Sequence, residues 1–394
     1  MRICIINTHT NNFGDDAACV ALAMQLRKEF PDAHLDFLYQ IYEPSNPIPF
    51  EDENSTHYNN LVIFKQHMPE AIRYILSKKL PLLRPLNGDV KKTASIIRRA
   101  DVVISAPCGA NIGIYRDWIH LFRVLVAVEE GYKPILHLNT VGKSGNILFD
   151  KISKHVLKRS KVYVREGKSK REMDKWGIEC EQGVDTAFSL PDRNVDLNIE
   201  KEYMAFVPTK FDNWHKSYKN NPIDKKLENK MKEVAEFVKE NDLDIRIIPH
   251  LTGVNSEYNL LEEYKELLVE AGVNEKNIHV EKDCDTFWKY EDLIANAKLT
   301  LSMRYHGVIF SIKNYVPFLS LAYENKMLEA CKYSKMTKYN FDIKKIDNVD
   351  LKKQLNIVVK DSDKIKETLK AERENLRNLS QLPVQNLKLS QLTE

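Results

Sequence analysis

Short, mostly apolar runs alternate with longer stretches in which apolar positions recur every three or four residues, the period of a helix with one buried face. In the first half the runs are Ile3–Ile6, Leu35–Tyr39, Val102–Ser105, Pro134–Leu138 and Val162–Val164. After Gly14, the residues Cys19, Leu22, Leu26 and Phe30 form one stripe, and Pro31-Asp32 stops the helix. A polar stretch from Pro191 to Glu202 interrupts the pattern, which then restarts with strands near Met204–Val207, Ile245–Pro249, Asn277–Val280, Leu299–Met303 and Phe318–Ala322. Strands alternating with helices predict parallel α/β construction. The expected layout is an α/β domain over residues 1–190, a second over 203–349 and a helical tail over 350–394. In the tail Ile365, Leu369, Leu376 and Leu379 share one helical face, predicting helix to about Gln381 and a frayed end after Pro383.

At 394 residues the chain exceeds what one core usually supports, which agrees with two domains. With 43% hydrophobic and 29% charged residues it is globular in composition, and a net charge of +3 is too mild to point to nucleic acid. Basic residues do gather between Lys151 and Lys175, either as a solvated helical face or as a surface for an anionic carrier. Six scattered cysteines without Cys-x-x-Cys pairs speak against a zinc site or a disulfide framework. The chain opens as a strand at Met1-Arg2-Ile3, without a signal-peptide pattern, and no run is long enough to span a membrane. The expectation is a cytoplasmic protein, with the inner face of the membrane open to it. Gly142-Lys143-Ser144 lacks the upstream glycine of a phosphate loop, since His137 stands there, and no Gly-x-Gly-x-x-Gly occurs.

The chemistry concentrates at Ser302-Met303-Arg304-Tyr305-His306-Gly307, where a buried strand empties into a cation, an imidazole and a glycine. Ligands of open α/β sheets bind at the carboxyl ends of strands, so this is a candidate anion site with a proton donor beside it. The alternative is an Arg paired with a carboxylate and a structural histidine. Arg165 ends another strand and is either a second cation or the partner of Glu166 or Glu172, and His250 ends the Ile245–Pro249 strand. Asp15 and Asp16 open the first helix, one as a cap and the other free to act as base. Lys326 either binds substrate or pairs with Glu324 or Glu329, while Tyr115, Trp118, Trp214 and Tyr305 are possible stacking faces.

Arg304-x-His306-Gly307, the strand after Pro317 and Tyr323-x-x-Lys326 resemble the carboxyl-terminal signature of the polysaccharide pyruvyltransferase family. Asn12-x-Gly14-Asp15-x-Ala17 is similar to its opening, and Arg165-Glu166-x-x-Ser169, Gly177 and Asp185-x-Ala187-Phe188 follow in the family's order. The resemblance implies two Rossmann-like domains facing across a cleft, the GT-B-like class. It implies transfer of a pyruvyl group from phosphoenolpyruvate, as donor substrate, to a sugar of a cell-surface polysaccharide or its precursor, with a cyclic ketal formed and phosphate released. No metal or organic cofactor is required. In this reading His306 and Asp15 are catalytic, and Arg304, Arg165, Gly307, Lys326 and His250 hold the donor. Asn12, Asp16, Gly109 and Asn111 meet the saccharide acceptor, free or lipid-linked. Relatives carry a glycine-rich turn where this chain has Ser105 to Gly113 with only Gly109 and Gly113 remaining. Competing readings are a nucleotide-sugar-dependent glycosyltransferase of the same architecture and a non-catalytic glycan-assembly protein.

Overall fold

The computed structural model describes residues 1–42, 47–59, 64–78, 88–193, 195–211, 223–253 and 256–392. They group into two compact units, one of Met1–Asn11, Asp15–Leu190 and Leu376–Glu394, the other of Asn12–Gly14 and Pro191–Asn375.

The first unit carries, in chain order, β1 (Arg2–Thr8), α1 (Phe13–Glu29), β2 (His34–Tyr39), β3 (Ser55–Tyr58), α2 (Phe64–Ser77), α3 (Asp89–Ile97), β4 (Val102–Ser105), α4 (Trp118–Glu129), β5 (Ile135–Asn139), α5 (Ile147–Leu157), β6 (Lys161–Val164), α6 (Gly167–Trp176) and β7 (Cys180–Gln182). Its described strands form one sheet in the order β3-β2-β1-β4-β5-β6-β7, every pair parallel. Alternation divides the sheet between two cores: Cys4, Ile6, Val103, Leu136 and Val162 enter one, and Ile3, Ile5, Ile104, Ile135 and Tyr163 the other. Strand order reverses between β1 and β4, so the loops after these strands part and leave a place for a ligand.

The second unit repeats the plan with β8 (Tyr203–Val207), α7 (Ile223–Glu240), β9 (Asp244–Ile247), α8 (Tyr258–Glu270), β10 (Ile278–Val280), α9 (Phe287–Ala295), β11 (Leu299–Ser302), α10 (Tyr305–Lys313), β12 (Phe318–Ala322), α11 (Asn325–Tyr333) and β13 (Asn340–Asp342). The sheet order is β10-β9-β8-β11-β12-β13, again parallel throughout, with the reversal between β8 and β11. The polar stretch after Leu190 is bound to this unit. Arg193 clasps Asp292 through two hydrogen bonds of 2.7 Å, and Lys313 donates to the Pro191 carbonyl at 2.9 Å.

Two helices end the chain, α12 (Leu351–Lys360) and α13 (Ser362–Leu392). Here the sequence-based expectation of a frayed end after Pro383 is corrected, because α13 continues through Pro383. An interior proline costs about 3 kcal/mol, but beyond it Val384 and Leu387 are buried in the first unit's core, each contributing roughly 1.5–3 kcal/mol. The Leu379 carbonyl, which Pro383 leaves without its helical donor, lies against Gly183, where a Cβ would approach it to 2.4 Å.

Candidate functional site

In the second unit the turn from β11 to α10 is closed by Ser302. Its Oγ accepts from the Arg304 amide at 3.1 Å and donates to the Arg304 carbonyl at 2.8 Å. Gly307 permits this approach, since a Cβ there would stand 2.2 Å from Ser302 Oγ. Arg304 is thereby set as the residue capping α10, with its side chain buried against the Glu257 carboxylate. Burial works against the guanidinium charge, but Glu257 outweighs it and holds the pKa above its ordinary value. The other Glu257 oxygen accepts from the amides of His250 and Leu251 at 2.9 and 3.1 Å. Among the described residues, the buried Arg304 Nε has no hydrogen-bond partner.

His306 stacks on His250 with ring centroids 5.9 Å apart and planes 18° from parallel. Burial, with Arg304 and His306 next in weight, pushes the His250 pKa well below its ordinary value, so this imidazole is neutral. Residues 12–14 complete the cluster: the Phe13 amide donates to the His250 carbonyl at 3.3 Å, and Asn12 Oδ1 accepts from the Gly14 amide at 3.0 Å. Asn12 thus shapes the turn that brings Gly14 against His306. Lys326 lies 3.1 Å from Glu324 and 5.6 Å from the centre of the Tyr305 ring. Of the helix amides that might face an anion, that of Val308 is engaged with the Arg304 carbonyl at 3.3 Å. Arg304, Lys326, His306 and a neutral His250 gather at strand ends, an arrangement suited to a carboxylate or phosphate. A hollow of about 330 Å³ elsewhere in this unit, lined by Asp224, Glu228, Glu263, Glu266 and Glu270 beside Lys210, has the wrong charge for such a ligand.

In the first unit Asp15 lies 3.3 Å from His9, a histidine beyond the end of β1 that the sequence reading did not single out. His9 Nε2 is buried without a hydrogen-bond partner among the described residues. Asp16 is buried, and desolvation, reinforced by Asp15, raises its pKa well above the carboxylate range. Burial disfavours the charged form of Asp16, and Asp15, whose side chain is 19% exposed, is the better candidate base. Asn111 donates to Asp117 at 2.9 Å, and Asp117 caps α4 through the amides of Ile119 and His120. Gly109 leaves room for Tyr115, whose ring would stand 3.3 Å from a Cβ. Trp118 packs edge-on against Phe149, and Trp214 lies outside the described residues. Cys108 sits 3.9 Å from His120, but burial pushes the thiol up to about 12 and the imidazole down to about 4, so both stay neutral.

The family model for polysaccharide pyruvyl transferase matches residues 12–325. The chain belongs to that family. Among curated proteins no relative matches. Solved structures share the fold at low identity. UDP-GlcNAc 2-epimerase from Neisseria meningitidis aligns with a TM-score of 0.62 and 10% identity over 98% of this chain and 99% of its own. MnaA of S. aureus, in a co-structure with UDP, gives 0.61 and 13% over 100% and 98%. WaaG, a glycosyltransferase involved in lipopolysaccharide biosynthesis, gives 0.53 and 14% over 97% and 98%. The fold is the two-domain parallel α/β arrangement of the GT-B-like class.

In this pyruvyl transferase family member the blocks at Arg165 to Ser169 and at Asp185 to Ala187 join one network inside the first unit. Arg165, 2% exposed, donates from Nε to Thr140 Oγ1 at 2.9 Å and from Nη1 to Asp185 at 2.8 Å. Glu166 accepts from Ser169 at 3.0 Å and from Thr140 at 3.2 Å, and Ser169 Oγ accepts from the Val141 amide at 2.9 Å. Asp185 also accepts from the Ala187 amide at 3.0 Å, ordering the turn Thr186–Ser189. The structure thus gives Arg165 a buried carboxylate partner, Asp185, twenty residues along the chain. Among the described residues there is no group of three or more His, Cys, Asp or Glu arranged to hold a metal ion. Nor is any described helix long and apolar enough to cross a membrane.

Proposed function

We propose that the protein transfers the pyruvyl group of phosphoenolpyruvate to two hydroxyls of a saccharide, forming a cyclic ketal and releasing phosphate. The observation that carries this reading is the cluster of Arg304, Lys326, His306 and neutral His250 at the strand ends of the second unit, in a chain of the pyruvyl transferase family. Arg304 receives the donor's carboxylate or phosphate on its planar fork, held in orientation by Glu257. His306 gives a proton to the methylene carbon, and the adjacent carbon becomes open to attack. The first hydroxyl adds to that carbon, its new bond taking the place of the π bond lost on protonation, and the second forms its bond as the carbon–oxygen bond to phosphate breaks. Of the two hydroxyl protons, one replaces that given to the methyl group and the other leaves on phosphate. Asp15 is the candidate base on the acceptor side, with His9 beside it.

A second reading, transfer from a nucleotide sugar, draws on neighbours whose structures contain UDP-GlcNAc or UDP. Phosphate release from phosphoenolpyruvate across a panel of glycan acceptors, with mass spectrometry of the product, separates the two. Calorimetric binding of UDP without binding of phosphoenolpyruvate would decide for the second.

A further inference from the structure

Helix α5 begins after a turn at Gly145, whose backbone is left-handed at φ +78°, and Asn146 caps it by accepting from the Phe149 amide at 2.9 Å. Phe149 is fully buried and pins the first turn to the core, while Ile147 and Leu148 just before it are 90% and 59% exposed. Ile147 is the most exposed large aliphatic side chain described. Four, seven and eleven residues on stand Lys151, Lys154 and Lys158, all exposed and all on the face of Ile147. Leu148 is continued in the same way by His155 and Arg159, also exposed. The buried side chains Phe149, Ser153, Val156 and Leu157 take the opposite face. Asp150 is turned to the Ser144 amide at 2.9 Å, and Glu129 meets His155 at 3.5 Å.

We infer that the solvent face of α5 docks on an anionic lipid surface, with Ile147 and Leu148 entering the boundary of the acyl region and Lys151, Lys154, Lys158 and Arg159 lying among the headgroups. An aliphatic tip on a basic helical face matches an interface of that depth, and lysine stems extend along apolar surface while their ammonium groups stay at the phosphates. A protein partner fits less well, because lysine is depleted from the cores of protein interfaces. The inference is independent of the proposed reaction, since it is read out with neither donor nor acceptor present.

The test is cosedimentation of the full chain with vesicles of phosphatidylcholine alone and of three parts phosphatidylcholine to one part phosphatidylglycerol. Binding is expected on the phosphatidylglycerol vesicles and weakens with added salt. Each basic side chain near such a surface adds roughly fivefold to partitioning, so Lys151→Glu with Lys158→Glu lowers it by more than about twentyfold. Ile147→Ser with Leu148→Ser lowers it by roughly tenfold or more. Both pairs are on the surface and leave the circular dichroism spectrum unchanged. No binding by the unaltered chain, equal binding to both vesicle types, or variants that bind as well as the unaltered chain would each overturn the inference. So would a serine pair that only converts an oligomer to a monomer.

Discussion

Gly14 lies directly against His306: a Cβ at residue 14 would stand 1.7 Å from the imidazole Nδ1 and 2.2 Å from Cγ. A hydrogen is all that fits, so Gly14 and His306, both in the second unit, set each other's position. Gly14→Ala must displace the imidazole. Turnover in phosphate release is expected to fall by about a hundredfold or more, the range for a misplaced general acid. Affinity for phosphoenolpyruvate, which rests on Arg304, changes little in calorimetry. An unchanged kcat would show that the chemistry does not use the position of His306.

Glu257→Gln keeps an oxygen for the His250 and Leu251 amides but removes the charge facing Arg304. Stripping one partner from a buried ion pair costs about 3–5 kcal/mol, which lowers Tm by roughly 10 °C in a domain of this size. Inorganic phosphate should restore part of that loss by supplying the missing negative charge to the guanidinium. A Tm that does not respond to phosphate would remove Arg304 from an anion pocket.

The strands buried on both faces were legible because their residues are apolar without interruption, as Tyr203–Val207 shows. Edge strands β3, β7 and β13 were not, since Ser55–Tyr58, Cys180–Gln182 and Asn340–Asp342 carry no hydrophobic run. Arg304 and His306 could be found because they end such a run. Glu257 could not, because it meets Arg304 only after the chain beyond β9 folds back over the strand end. Arg165 and Asp185 pose the same difficulty, being twenty residues apart with nearer carboxylates in sequence. His9 and Asp15 are six apart and meet only through the turn between β1 and α1.

Acid stability should follow the buried histidines. Burial lowers the pKa of His120 to about 4, of His137 to about 3 and of His250 well below its ordinary value. A histidine with a depressed folded pKa leaves the unfolded chain binding more protons as pH falls below about 6.5, so stability is lost from there downward, by about 1.4 kcal/mol per pH unit for each group. Asp16, raised by burial, acts in the opposite sense, because its carboxyl binds a proton in the folded state first. Neither ring nitrogen of His137 has a hydrogen-bond partner among the described residues. His137→Leu should therefore raise Tm at neutral pH, relieving about 1–3 kcal/mol, and flatten the acid slope by one proton. Urea melts between pH 7 and 5 check both, and an unaltered slope would mean that His137 does not titrate on unfolding.

Gly183 is the place where the first unit meets the helix that closes the chain. Its amide donates to the Val164 carbonyl at 2.9 Å, and a Cβ would stand 2.4 Å from the Leu379 carbonyl and 2.6 Å from Leu138 Cδ2. The Leu379 carbonyl is backbone and cannot turn aside as a side chain would. Gly183→Ala must therefore push α13 outward, at about 1–3 kcal/mol, and loosen Val384 and Leu387 from the core. The expected result is a lower Tm together with faster tryptic cleavage at Arg377 and Lys388. Cleavage at the unaltered rate would show that the helix is held by Val384 and Leu387 without the contact at Gly183.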